Sequence, residues 1–312
     1  MLFGIRRKSA PRLTPELDDS ALGRVLVQLQ APPTPGLRDL HVDQIENVIT
    51  QSADWDRQTH RMAVLAETAQ AGNLSEAWVV RRPGSAHALT FQAWVDLVRA
   101  QRSGTMPDER ATVDRCHRAT ELAPQDPTPW VVLLGVLRAL QAPSREVFPV
   151  WREATARDAW NREAYLQMLG YLSPEECGSH VQLRDFIDTV RSRIPSTAPA
   201  VGVELAAAVQ NHHRIVQEGG INGLLADRQW THPPAANALN QAFTDWTRPG
   251  FLSHAAALAD LNVLAYALAQ ANRLTDAAAV FTLIEGRVTS WPWRLNGDPL
   301  RTYAHLRERA LR

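Results

Sequence analysis

The residues with the widest chemical range fall in two short stretches, Cys177-Gly178-Ser179-His180 and Asn211-His212-His213. A thiolate and two imidazoles suit zinc or copper. Two imidazoles titrating near neutrality also suit general acid/base work. Helices are expected over 180–194 and 199–217, and an antiparallel hairpin of the two would bring His180 and His213 to similar height. Cys177, His180 and His213 are therefore candidate metal ligands, and His180 with His213 a candidate catalytic pair, in a metal-dependent or acid/base tailoring enzyme of the kind natural-product pathways use. Neighbouring residues on a helix point roughly 100° apart, so only one of His212 and His213 can meet His180. The same residues have a plainer role. Ser179 with Gln182 three positions on is a capping-box pattern, His180 then sits in an exposed first turn, and Cys177 is a small apolar loop residue. One of the two later histidines would pack at the hairpin interface. On that account no cofactor and no metal is needed.

Glycine-rich phosphate loops, paired-histidine helices, Cys-x-x-Cys pairs and nucleophile elbows are all missing, which weakens the case for most familiar enzyme classes. The balance of 33 basic and 33 acidic residues gives zero formal charge, so the basic footprint of a nucleic-acid binder is absent. Lys8 is the only lysine; positive charge is carried by arginine, as GC-rich codon usage produces, which lowers the weight of any single Arg. Two cysteines, Cys116 and Cys177, are too few for a disulfide framework and point to a reducing, cytoplasmic setting. Arg6-Arg7-Lys8 follows an apolar patch, the reverse of a signal peptide, and reads as a solvated terminus. No apolar run approaches the roughly 18 residues that span a bilayer. Neither a membrane nor a nucleic acid is expected as partner, and the oligomeric state is open.

The elements that would position these residues are helical. Apolar residues recur at spacings of three and four, alternating runs are scarce, and the class is all-α. A first helix over 16–30 ends at Ala31-Pro32-Pro33-Thr34-Pro35-Gly36, which no helix crosses. Further helices are expected over 38–52, 54–71, 75–81, 86–102, 108–123, 128–141, 145–158, 161–172, 235–247, 254–271, 274–289 and 299–311. With 312 residues, one compact core is near its practical limit. The expected organisation is an N-terminal helix and Pro-rich linker (1–36), a helical-hairpin array (37–218) and C-terminal hairpins with a capping helix (219–312).

The stretch from Ala119 through Pro124 to Trp130 resembles the junction between two tetratricopeptide repeats, with a small packing residue, a closing proline and an aromatic opening the next helix. Trp151 and Ala154 follow as the large and small packing residues. Tyr165 repeats Trp130 at 35 positions, against an expected period of about 34. Leu261 to Ala265, Leu268, Ala277 and Phe281 are similar to the same pattern, whereas Leu134 stands where the repeat carries glycine. The expected architecture is a tetratricopeptide-like α-solenoid of antiparallel hairpins, with Trp130 and Ala154 largely buried. The chain also resembles an uncharacterised group of actinobacterial tetratricopeptide-like proteins, through Gly178-Ser179-His180 and Arg287-Val288-Thr289-Ser290-Trp291-Pro292-Trp293. That resemblance implies a fold and no activity.

Stacked hairpins leave an extended groove, and such folds mostly serve recognition. The leading expectation is a non-enzymatic adaptor or accessory protein binding a peptide or protein there. By the repeat register Gln92, Val95, Arg99, Thr128, Val131, Arg138, Glu163, Leu166, Asn262 and Tyr266 face the groove, and Arg99 with Arg138 could clamp one carboxylate. Trp94, Trp130 and Trp151 read as packing residues. Trp230, Trp246, Trp291 and Trp293, near breaks, are better placed to line a pocket.

Overall fold

The computed structural model describes residues 10–30, 36–52 and 54–312. Arg6-Arg7-Lys8 and the prolines of 31–35 lie outside the described residues. Those described form sixteen α-helices and one parallel sheet of two two-residue strands. They divide into a larger unit, Asp19–Ala200, and a smaller one that joins residues 10–18 to Val201–Arg312. The sequence suggested a boundary at residue 218. The division falls at Ala200 because the helix that follows packs with the C-terminal ones.

The larger unit holds α1 (Ser20–Leu29), α2 (Leu37–Thr50), α3 (Trp55–Ala66), α4 (Ala71–Arg81), α5 (Ala86–Ser103), α6 (Glu109–Leu122), α7 (Thr128–Ala139), α8 (Ser144–Arg157), α9 (Arg162–Tyr171) and α10 (His180–Arg193). Helices begin where a side-chain oxygen can take up an orphan amide: Asp19, Asp54, Ser85, Asp108, Asn161 and Ser179 cap α1, α3, α5, α6, α9 and α10. The first helix starts at Ser20 rather than 16, after a turn in which Leu17 has φ 55°. Helix α5 packs on α6, α6 on α7 and α7 on α8, while α5 also meets α7 and α7 meets α9. The close approach of these helices falls at Gly135, one position after Leu134: a Cβ there would lie 2.6 Å from Leu97 Cδ2. Ala119, Ala154 and Ala164 are fully buried at similar junctions. Trp130 is only half-buried, with the Arg157 guanidinium 5.0 Å from its ring centre.

Helix α3 packs on its chain neighbours α2 and α4 and also reaches α5, α7 and α9.

The smaller unit holds β1 (Arg12–Leu13), α11 (Val203–Glu218), α12 (Gly220–Leu224), α13 (Pro233–Trp246), α14 (Ala257–Gln270), α15 (Leu274–Ile284), β2 (Arg287–Val288) and α16 (Pro299–Ala310). Helix α15 stops at Ile284, short of 289, because Glu285 and Gly286 both take positive φ. The chain then runs as β2 beside β1, where Thr14 N donates to Val288 O at 2.8 Å. Ring contacts join Trp293, Tyr266, Phe281 and Tyr303 in the core of this unit. No helix among the described residues is long and apolar enough to cross a membrane.

Candidate functional site

The residues that the repeat register assigned to a groove have different surroundings. Thr128, at 0% exposure, and Val131 lie inside the larger unit, near the start of α7, where α3 crosses it. Gln58 of α3 donates to Asp126 Oδ2 at 3.2 Å and to Thr128 Oγ1 at 3.5 Å. The Asp126 carboxylate also accepts from the Thr128 amide at 2.8 Å, and His87 Nε2 lies 3.8 Å from it. One helix further on, Asn161 Nδ2 donates to Thr59 Oγ1 at 3.5 Å. Thr128 and Val131, together with buried Val95, thus offer nothing to an outside ligand. The repeat pattern could not show this, because it says which face hairpins leave open and not what another helix brings to that face.

Asn262 and Tyr266, on α14 of the smaller unit, are buried too. Asn262 uses both ends of its amide. Its Nδ2 donates to Leu258 O at 2.9 Å and Arg287 O at 3.1 Å, while its Oδ1 accepts from Trp293 Nε1 at 2.8 Å and Thr289 N at 3.3 Å. Tyr266 Oη accepts from Asn296 Nδ2 at 2.9 Å; burial pushes the phenol pKa up to about 12. These two residues fasten the connection from 285 to 297 onto α14. Trp293, expected beside a pocket, is fully enclosed there, and Trp230 and Trp246 are buried as well.

The two arginines each find carboxylates of their own unit. Arg138 donates Nε to Glu176 Oε2 at 2.7 Å and Nη2 to Oε1 at 2.5 Å, with Nη1 on Gln167 Oε1 at 3.0 Å. Gln167 in turn donates to Glu163 Oε1 at 2.7 Å. Arg99 lies 3.5 Å from Asp96 and 3.8 Å from Glu76. Both guanidinium groups rest on a glycine, Arg138 over Gly170 and Arg99 over Gly72, where a Cβ would collide with them. Arg138 is committed by its bidentate pair; Arg99, more loosely held, is exposed. Gln92 and Leu166 are half-buried.

Beyond Glu76 the surface opens. A depression of about 450 Å³ lies over α2 and α4, lined by Arg38, Asp39, Asn73, Glu76, Ala77, Val80 and Arg81. Arg81 is held by Asp43 at 2.9 Å and by the Asp39 carbonyl at 3.2 Å. Arg38 is exposed and makes no ion pair among the described residues. Val80 is 83% exposed beside it. An apolar side chain next to an uncommitted guanidinium suits a ligand that carries a carboxylate and a short apolar group. Sequence inspection passes over these residues because solvated helix faces carry the same charges.

The histidine stretches are positioned by capping and packing. Gly178 lies so close to the Leu172 backbone that a Cβ would strike its carbonyl, and Ser179 Oγ accepts from the Gln182 amide at 3.3 Å. His180 follows, exposed, at the start of α10. Cys177 is half-buried, and burial together with the nearby Glu176 carboxylate raises its thiol pKa despite Arg138, which disfavours the thiolate that metal binding or attack requires. His180 belongs to the larger unit and His213 to the smaller. His212 is buried, with Nε2 3.2 Å from Asp227 Oδ1 and its ring 5.6 Å from that of Trp230. Burial and the adjacent His212 lower the pKa of His213. Among the described residues no group of three or more His, Cys, Asp or Glu is placed to hold a metal ion. No family model, curated protein or solved structure matches this chain.

Proposed function

We propose that this protein is a non-enzymatic adaptor, a tetratricopeptide-like stack of antiparallel hairpins that binds a peptide or protein partner. The succession of α5 to α9 supports that architecture: each helix packs on the next, while α5 also packs on α7 and α7 on α9. The observation that carries the functional half is the α2–α4 depression, with Arg38 uncommitted and Val80 exposed. Its occupant is an extended segment of a partner, with an acidic side chain or terminal carboxylate on Arg38 and an apolar side chain against Ala77 and Val80. Arg99 contributes at the rim through Glu76. The acid/base alternative rests on His180 and His213, which sit in different units, and no observation favours it.

The test pairs capture from the native host with a double variant, Arg38→Glu with Val80→Asp. A partner retained by wild type and lost by the variant, and whose isolated segment binds wild type with fluorescence polarisation falling as salt rises, supports the adaptor. Partners that bind both proteins equally remove the depression as the site.

A further inference from the structure

The smaller unit carries an apolar turn that its fold holds outward. At the end of α11, Gly219 and Gly220 take positive φ, 69° and 60°, and lead the chain into α12, which lies against the last turn of α11: a Cβ at Gly223 would lie 3.4 Å from both Ile215 O and Val216 O. Ile221, Leu224 and Leu225 stand at i, i+3 and i+4, the spacing that puts three side chains on one helical face. That face points to solvent. The three are exposed by 76%, 86% and 39%, and Val216 of the adjoining turn by 42%. Leu224 is the most exposed large apolar side chain among the described residues. The segment that follows is pinned inward. Ala226 and Trp230 are buried, Asn211 Nδ2 donates to Gln229 Oε1 at 2.5 Å, Gln229 Nε2 donates to Ala208 O at 2.7 Å, and His212 Nε2 lies 3.2 Å from Asp227 Oδ1. Rolling the turn so that its aliphatic face went under would break these contacts.

Contiguous exposed aliphatic side chains mark a docking surface, and the charges at the two ends of this one identify its occupant. Glu218 precedes the turn and Arg228 follows it, both exposed; Glu218 is held by Arg214, while Arg228 makes no ion pair among the described residues. With Asp227 also 77% exposed, the rim carries both signs, which an anionic lipid surface would repel as much as attract. We propose that the turn at 221–225 docks on the same turn of a second copy of this chain. A twofold axis passing across α12 packs the two turns antiparallel, so that the start of one meets the end of the other. Glu218 of each copy then faces Arg228 of the other, and Leu224 packs near its own counterpart. The guanidinium that lacks a carboxylate within one chain gains one across the interface. The patch is small against the roughly 800 Å² per partner of a standard interface, so the dimer is weak and its population follows concentration. The inference is independent of the α2–α4 depression, which belongs to the other unit.

Sedimentation velocity of the full chain over about 1 to 100 µM tests this, a range that spans weak association. Wild type should move from monomer toward dimer as concentration rises, and Leu224→Asp should stay monomeric. Arg228→Glu and Glu218→Arg, each alone, should weaken the dimer about tenfold or more, because like charges then face each other. An equimolar mixture of those two variants should recover it, since each substituted residue meets its opposite on the other chain. A role confined to one chain gives no recovery on mixing. Circular dichroism of all three variants should match wild type, because the positions are exposed. Wild type that is monomeric throughout overturns the proposal, as does a dimer that survives Leu224→Asp or a mixture that recovers nothing. Monomeric wild type that floats with phosphatidylserine vesicles, and ceases to when Leu224 is replaced, also overturns it and assigns the turn to a membrane.

Discussion

Helices α7 and α14 carry equivalent expectations, each presenting residues that a repeat register leaves facing outward, and each is covered. The covers differ in kind. Over the start of α7 lies a whole helix, whose Gln58 donates to the Asp126 carboxylate at 3.2 Å and to Thr128 Oγ1 at 3.5 Å. Over α14 lies an irregular connection held by three hydrogen bonds to a single asparagine and by a tryptophan enclosed among Tyr266, Phe281 and Tyr303. The starts of α7 and α9 have capping bonds of their own besides that cover. The connection supplies both donors to the Asn262 Oδ1 and one of the two acceptors of its Nδ2. Equal burial thus conceals different chemistry, hydrogen bonds to a capping carboxylate over α7 and an enclosed tryptophan with an asparagine amide over α14.

The largest effect that sharpens this contrast is expected from Trp293→Ala. Truncating a fully buried aromatic costs roughly 3–5 kcal/mol, and chemical denaturation should show the smaller unit unfolding early. Asn262→Ala should follow at about 2–3 kcal/mol, since buried donors and acceptors lose their partner together; Asn262→Asp should not restore the loss, because the carboxylate cannot donate to Leu258 and Arg287. A stability curve unchanged by either substitution would erase the distinction between the covers.

Asp19→Asn probes the ion pair that holds Arg61 of α3 and should cost about 1.5–3 kcal/mol near neutral pH, the range for hydrogen bonds to charged groups. Burial raises the Asp19 pKa, but the hydrogen bond from Arg61, the Leu22 amide and the charges of Arg61 and Arg57 outweigh it and hold the carboxyl below its usual value. Its contribution is thus complete above the unfolded carboxyl pKa of about 3.9 and disappears as pH falls through the lower folded value. Denaturation midpoints measured from pH 6 downward should converge for wild type and variant on the acid side. Gln58→Ala/Thr59→Ala should cost about 1.5–2 kcal/mol, the lower range for a hydrogen bond to a charged group, since Gln58 donates to the Asp126 carboxylate. A loss comparable to that of Trp293→Ala would show the two covers to be held equally strongly.

The smallest change is expected from Gly170→Ala. The added Cβ meets only the flexible end of Arg138, so the guanidinium can swing off Glu176 while the helix gains up to about 1 kcal/mol in propensity. Net stability should move by less than about 1 kcal/mol, with the loss of the Arg138–Glu176 pair visible as a reduced salt dependence of the midpoint. Gly178→Ala is the control: its Cβ meets the Leu172 backbone, which cannot swing away.

Sequence periodicity revealed the helices because apolar spacing and capping oxygens are local properties. The tight junctions at Ala119 and Ala154 were legible for the same reason. Glycine at 135 was recognisable as a glycine, but its partner Leu97 is on another helix and sets the register one position later than expected. Gly178-Ser179 was readable as a helix start, and the structure adds the Leu172 backbone as the reason for the glycine. What escaped was non-local. Gln58 and Thr59 look like ordinary polar positions on an exposed helix until Asp126 and Asn161 arrive beside them. Asn262 looks like a polar residue on a groove face until the 285–297 connection folds back. Arg38 looks like any other surface arginine until the fold places it beside Val80 in one depression, which no spacing rule encodes.

The pairing of β1 with β2 imposes an order on synthesis. Residues 12 and 13 leave the ribosome before any residue of the larger unit, yet their hydrogen-bonding partners, residues 286 to 288, follow only after that whole unit has been made. The stretch from Asp19 to Ala200 has all its own contacts available early and can fold as it emerges. The strand at Arg12 must wait, unpaired, for the chain's other end, and any translational pause between the two lengthens the time that edge stays open.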